Sequence, residues 1–349
     1  MNKPVLHLSA MHLLIGLLFL PVSCVSGVSK IVEGARVVEY EGFTASRPAE
    51  VRPLFGEGSS REFVGAVAIH DVGNGGALLQ MMAGENCFVW LDLSTGESKS
   101  IVSRGRGPEE MVDAGFAGYR VNDIGDTELI AYSLSTFEAV RINLTRTLSE
   151  GKTVVLSRDK LPQMTMYALS NGSDIFCYSF GSDQTVGWNI IGEDGETVSL
   201  RPFGKDGRVG DPSKYFAATS VSEDGDKIVM GMASFPRQFI LDRHGDDIAI
   251  SLDGETDESI LDRLTPEGAD AGDCCLWTQT SEDLVYCLIL DQDAIRAGNM
   301  EELLLVFDWN GELKSATRIP EDLTSFIVSD EGCSITGITM NGLIVKVTL

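Results

Sequence analysis

Arginine and glycine alternate in SRGRGPEE, residues 103 to 110, within a chain whose formal net charge is −25. Glycine-rich loops carrying a basic side chain are a common way to cradle phosphate, so this stretch is the first candidate for phosphoryl or nucleotide chemistry. It lacks the Gly-Lys-Ser/Thr ending that would supply a lysine and a metal-binding hydroxyl. Pro108, Glu109 and Glu110 also place negative charge where an anionic phosphate would lie. The stretch therefore reads as a connection whose glycines, Gly105 and Gly107, permit a tight path.

Other reactive groups are sparse. Beyond residue 24 the histidines are His70 and His244, the latter in the turn-like DRHGDD, and no Ser-His-Asp spacing is marked. NDIGDTE and SEDGDK lack the alternating acidic ligands and distal Glu of an EF-hand, so they read as hairpin turns. Cys87, Cys177 and Cys287 sit inside apolar runs (NCFVW, IFCYSF, VYCLIL), where a thiol packs as a small hydrophobe. Cys274, Cys275 and Cys333 complete an even set that would permit disulfides in an exported protein, but mostly buried thiols are expected. No CxxC or Cys/His spacing points to zinc.

Acidic residues outnumber basic ones by 52 to 27, which disfavours nucleic acid and anionic lipid headgroups as partners for the body of the chain. The amino terminus differs. Lys3 precedes an apolar run from Met11 to Leu20, about half the roughly 20 residues needed to span a bilayer. Residues 1–23 thus read as a secretory signal peptide. PVSC at its end resembles a bacterial lipobox, although Pro21 stands where Leu, Val or Ile is usual. The expectation is lipidation at Cys24 and anchoring in the outer membrane, facing the periplasm, with the membrane as a partner through the acyl chains. An ordinary secreted protein cleaved near Ser26 is the alternative.

The elements that must position any site recur along residues 24–349. Turns centred near Gly75, Gly125, Gly172, Gly225, Glu282 and Gly332 each follow one apolar run and precede another, in steps close to fifty residues. About twenty residues after the earlier five comes a half-buried strand entering a polar turn, as in FVWLDLSTGES, AVRINLTRTL and QFILDRHGDDI. Helical patterns are limited to Thr256–Gly268 and a weaker one from Asp291. Six such units predict an all-β fold, a six-bladed β-propeller forming a single domain, with a β-sandwich as the competing architecture. The sixth unit is one strand short at Leu349, and Ser29 to Tyr40 is the segment expected to supply it, so that an N-terminal strand closes the ring.

With leader, closing strand and repeats together, the chain resembles the TolB-like six-bladed propeller lipoproteins of Gram-negative bacteria. GRGPEE is similar to the Gly-x-Gly-Pro-x-Glu stretch those propellers carry between blades, which maps to Gly105, Gly107, Pro108 and Glu110. The resemblance implies fold and envelope location and brings no catalytic residues. A lactonase-type propeller would hold one divalent metal in its channel, but candidates such as Asp71 and Asp123 fall at turns and form no readable set. A metal-dependent lactonase or esterase is therefore the alternative, and a non-enzymatic binding protein without a cofactor the main expectation.

Crossovers and second-to-third-strand loops share one face of a propeller. Here they carry Arg104, Arg106, Arg158, Lys160, Lys205, Arg208, Lys214, Arg237 and Arg296, nine of the 27 basic residues. Tyr215, Phe216 and Phe235 interleave with them. Such a face suits an anionic ligand, an acidic glycan or an acidic envelope protein, with Arg104, Arg106, Lys205, Arg208, Lys214, Tyr215, Arg237 and Arg296 as the expected contact residues.

Overall fold

Short β-branched and aromatic runs stopped by Gly, Asn or Asp fold as antiparallel hairpins. The recurring turn is closed the same way in different repeats. Gly125, Gly225 and Gly332 each donate their N–H to the carbonyl three residues back, at 2.9, 2.9 and 2.8 Å, with φ of +86°, +76° and +66°. That positive φ is why these three turn centres are glycine. The computed structural model describes residues 24–40, 43, 48–55, 63–182, 184–203, 211–252, 254–264, 274–291, 301–329 and 332–349.

The described strands form six sheets arranged as a six-bladed β-propeller. From the channel outward, blade 1 comprises Ala66–Asp71, Gly76–Met81, Asn86–Asp92 and Ser98–Ser103. Blade 2 comprises Gly115–Val121, Thr127–Ser133, Glu138–Asn143 and Val155–Lys160. Blade 3 runs through Thr165–Ser170, Ile175–Phe180, Val186–Ile191 and Thr197–Leu200. Blade 4 holds Ala217–Val221, Lys227–Met232, Arg237–Asp242 and Ile248–Ser251. Blade 5 holds Cys275–Thr280, Leu284–Leu290, Glu302–Asp308 and Leu313–Ile319. Blade 6 is built from Leu323–Val328, Ser334–Thr339 and Ile344–Thr348, completed by Glu50–Pro53 from the other end of the chain.

An N-terminal strand therefore closes the ring, but it is not Ser29 to Tyr40. Glu50–Pro53 pairs antiparallel with the last strand, Val51 opposite Val347. Arg36–Glu39 instead lies parallel to the outer strand of blade 4, Ile248 opposite Arg36, and Cys24–Val28 folds back on it. Packing explains the difference. Val38 and Tyr40 belong to the core between blades 4 and 5, and the Tyr40 hydroxyl donates to the Gly311 carbonyl and accepts from the Leu313 N–H, both at 2.8 Å.

Each seam between neighbouring blades has its own apolar cluster. Phe176, Tyr178 and Trp188 of blade 3 meet Ile228, Met230 and Phe239 of blade 4, while Leu78 and Phe88 of blade 1 meet Leu129 and Val140 of blade 2. The blade 2–3 seam is slighter, centred on Ala139, Leu161, Ala168 and Cys177. There the inner strands approach so closely that a Cβ on Gly118 would fall 2.2 Å from the Ser170 carbonyl oxygen. Cys87, Cys177, Cys275 and Cys287 are buried free thiols, and burial pushes the Cys177 and Cys275 thiols up to about 12.

Among the described residues two α-helices interrupt the repeat. Helix α1, Leu144–Glu150, replaces the expected hairpin turn of blade 2: Asn143 caps it by accepting from the Arg146 N–H, and Gly151 ends it at φ +69°. Helix α2, Asp257–Arg263, follows the expected Thr256 cap. Its Asp257 carboxylate accepts from the Ser29 hydroxyl and the Lys30 N–H, both at 2.7 Å, pinning the N-terminal segment to blade 4. The second helical expectation, from Asp291, lies outside the described residues.

Deleting Glu50–Pro53 should leave the outer edge of the last strand unpaired and uncover Val345 and Val347. The expected outcome is aggregation or loss of a single cooperative transition in thermal unfolding. An unchanged melting curve would show that the ring does not depend on this pairing.

Candidate functional site

The crossover from blade 1 to blade 2 is a built loop. Gly105 donates its N–H to the Met111 carbonyl at 3.0 Å and Met111 donates to the Ser103 carbonyl at 3.1 Å, drawing the two ends together. The Glu110 carboxylate turns inward and accepts from the Gly107 N–H at 2.7 Å. A Cβ on Gly105 would sit 1.9 Å from that same carboxylate oxygen. This explains the Gly-x-Gly-Pro-x-Glu spacing: the glutamate fills the loop, and the first glycine makes room for it.

Arg104 is part of that construction. Its Nε donates to the Gly84 carbonyl at 3.2 Å, Nη1 to Val112 at 3.1 Å, and Nη2 to Met81 at 3.0 Å and Met82 at 3.4 Å. One guanidinium thus ties the turn of blade 1 to the end of the crossover, so Arg104, an expected ligand contact, is engaged within the fold. Arg158, from the outer strand of blade 2, holds the far side through the Pro108 and Glu110 carbonyls at 3.0 and 2.9 Å. Arg106 remains exposed.

Three further expected contact residues also turn into the fold. Arg237 is 2% exposed, donates to the Pro236 and Glu255 carbonyls and pairs with Asp257 at 3.4 Å. Lys214 is buried and donates to the Arg263 carbonyl at 2.9 Å. Tyr215 is buried against Phe203 and Phe235, and burial pushes its phenol up to about 12. In each case the side chain is committed to internal partners, not to a solvent-facing patch. Lys205, Arg208 and Arg296 lie outside the described residues. Lys160 is exposed beside Arg158, its ammonium 2.8 Å from Glu138.

The inner strands bring together a group the sequence did not mark. The His70 ring of blade 1 lies tilted 4.4 Å from the Phe116 ring of blade 2, and the Trp277 ring of blade 5 stands 5.7 Å from it. Contact with blades on both sides, one of them not adjacent, places the imidazole at the channel. Its Nε2 meets Gln80 Oε1 at 3.2 Å, and that oxygen also accepts from the Phe116 N–H at 3.4 Å. Burial holds the imidazole down to about 4, so it is neutral at physiological pH. The Trp277 Nε1–H is buried without an acceptor among the described residues. Asp71, the neighbour of His70, is spent on its turn, accepting from Gly73 N–H at 3.0 Å and Tyr119 hydroxyl at 3.4 Å. Asp123 is exposed on a turn. Among the described residues no three His, Cys, Asp or Glu side chains gather as metal ligands.

No family model matches the chain, and no curated protein matches it. Solved structures do. A member of the DUF4221 family from Bacteroides vulgatus superposes with a TM-score of 0.53 at 10% identity, covering 87% of this chain and 96% of its own. A luciferin-regenerating enzyme superposes with a TM-score of 0.51 at 10% identity, covering 86% and 95%. The likeness is one of fold.

Two predictions follow from these geometries. Arg104→Ala strands backbone carbonyls that one guanidinium now serves and should cost about 1–3 kcal/mol in urea unfolding. Arg106→Ala should change stability by less than about 0.5 kcal/mol. For His70, the unfolded chain takes up a proton below about pH 6.5, whereas the folded imidazole resists protonation down to about 4. Stability should therefore fall as pH drops through that window. His70→Gln should remove this part of the slope in melts recorded from pH 7 to 4.

Proposed function

We propose that the protein is a lipid-anchored cell-envelope propeller of the TolB-like kind that binds an anionic partner and carries out no chemistry on it. The observation that carries this reading is the crossover of residues 104–111. Its backbone is held by Arg104, Glu110 and Arg158, while Arg106 stays exposed on it. A preorganised loop loses little entropy on binding, which is how a rigid scaffold makes a small contact useful. Arg158 and Lys160 add positive charge at its flank, and Glu138 and Glu109 limit the field to the loop itself.

In the channel the neutral His70 imidazole, set beside the Phe116 and Trp277 rings and hydrogen-bonded to Gln80, offers a mixed polar and aromatic surface that supports binding. The leader and Cys24 support anchoring, since several acyl chains on one cysteine hold a protein to a membrane where a single chain does so only marginally.

In fractionated cells the wild-type protein should remain with membranes, and Cys24→Ala should accumulate as precursor or become soluble. Detergent dependence of a processed Cys24→Ala chain would refute the anchor. The partner test uses charge reversal: Arg106→Glu should melt like wild type yet lose capture of envelope material at low salt, and wild-type capture should weaken steeply as salt rises. Equal recovery from both proteins at both salts would leave the loop a connector.

A further inference from the structure

We propose that the cleft between blades 1 and 2, on the face opposite the crossovers, binds an uncharged hydroxylated ring compound of mono- or disaccharide size. The cavity measures about 360 Å³ and is bounded by the Val72–Gly76 turn, the Trp90 indole and helix α1. That volume falls within the range of small-molecule sites.

Two independent features show that the cleft is constructed. The first is Gly76, where a Cβ would lie 2.4 Å from Trp90 Nε1 and 3.1 Å from Cε2. Gly76 has no positive φ, so the backbone does not demand glycine there; the indole does. The residue is small so that Trp90 can lie against the strand and form a wall. The second is α1. Between the third and fourth strands of blades 1, 3, 4 and 5 the chain turns in residues 93–97, 192–196, 243–247 and 309–312. Blade 2 alone inserts a helix at this point, and the insertion sets Leu144 and Leu148 against the cleft floor with Thr145 and Ser149 at its rim.

The lining chemistry selects the ligand. Among the described residues, the ten that line it include no ionisable side chain, in a chain that is 23% charged. A charged ligand would lose hydration without gaining a counter-charge. The polar groups instead alternate in character. Thr145 Oγ1 accepts from the Thr127 N–H at 2.9 Å and retains its own proton to donate. Ser149 Oγ donates to the Arg146 carbonyl at 3.0 Å and keeps lone pairs to accept. Asn74, exposed at φ +55°, offers an amide with both capacities. A tryptophan wall beside neutral donors and acceptors matches a sugar ring, whose apolar C–H face lies on an aromatic ring while its hydroxyls exchange hydrogen bonds at the rim.

The test is saturation-transfer NMR and calorimetry on the purified protein. The probes are glucose, galactose, N-acetylglucosamine, lactose and chitobiose, with glucuronate as the charged comparison and indole as the apolar one. At least one neutral sugar should bind with a millimolar Kd or tighter, and glucuronate and indole should bind at least ten-fold more weakly. Trp90→Ala should abolish the signal. Because that change also touches the core, Ser149→Trp serves as a second variant: it fills the cleft from an exposed helical position and should block binding with no loss of melting temperature. Arg106→Glu should bind the sugar as wild type does, which separates this site from the crossover loop. Absence of binding by all five neutral sugars, preference for glucuronate or indole, or unchanged sugar binding in Ser149→Trp would each overturn the proposal.

Discussion

A four-stranded blade is apolar on both faces, so it is stable only with a neighbour on each side. A linear array would leave two faces bare, and closing the ring is the one arrangement that covers them all. The clusters follow this demand: Leu79 and Leu91 of blade 1 pack on Ile338 and Ile344 of blade 6 in the same way as Phe88 packs on Val140 one seam further on. Closure is fixed by hydrogen bonding between segments from the two ends of the chain, because Glu50–Pro53 completes a sheet whose other strands lie at the C-terminus. The channel, the crossovers and the turn face all take their positions from that one pairing.

Once the ring is closed, the crossovers face a backbone problem. Each must leave an outer strand, cross the face and start an inner strand, and its carbonyls cannot all find N–H partners on the way. The chain answers with cations turned inward. Arg104 serves carbonyls of blade 1 and its crossover, Arg158 those of Pro108 and Glu110, Lys214 that of Arg263, and Arg237 those of Pro236 and Glu255. In an acidic chain this use of basic residues is economical: a guanidinium has five donors and no acceptor, which suits converging carbonyls. It also means that positive charge on a loop is poor evidence for a binding face until its partners are known.

That is where the sequence stopped being legible. The blade period could be read because a turn needing positive φ places glycine at nearly fixed intervals, and helix α2 could be read from Thr256. Helix α1 has equally good signals in Asn143 and Gly151, but AVRINLTRTL also fits the strand-and-turn pattern of the other repeats, which masks them. The closing strand is ambiguous in sequence for a related reason. Arg36–Glu39 and Glu50–Pro53 are both short with apolar residues at suitable places, and only the three-dimensional position of the open edges decides which strand goes where. His70 carried no local signal, since its neighbours Phe116 and Trp277 are distant in sequence and meet it only across the channel.

A repeat makes its own exceptions informative. Where every blade solves the same packing problem, a residue that departs from the shared solution is not required by the fold. Helix α1 is such a departure, since the ring closes as well with a tight turn, as blades 1, 3, 4 and 5 show. Trp90 over Gly76 is another, because a smaller side chain on that strand would leave the sheet paired as it is. Both departures fall on one seam and bound one cleft. Two unrelated relaxations of the repeat would rarely coincide there, whereas a ligand site requires that they do.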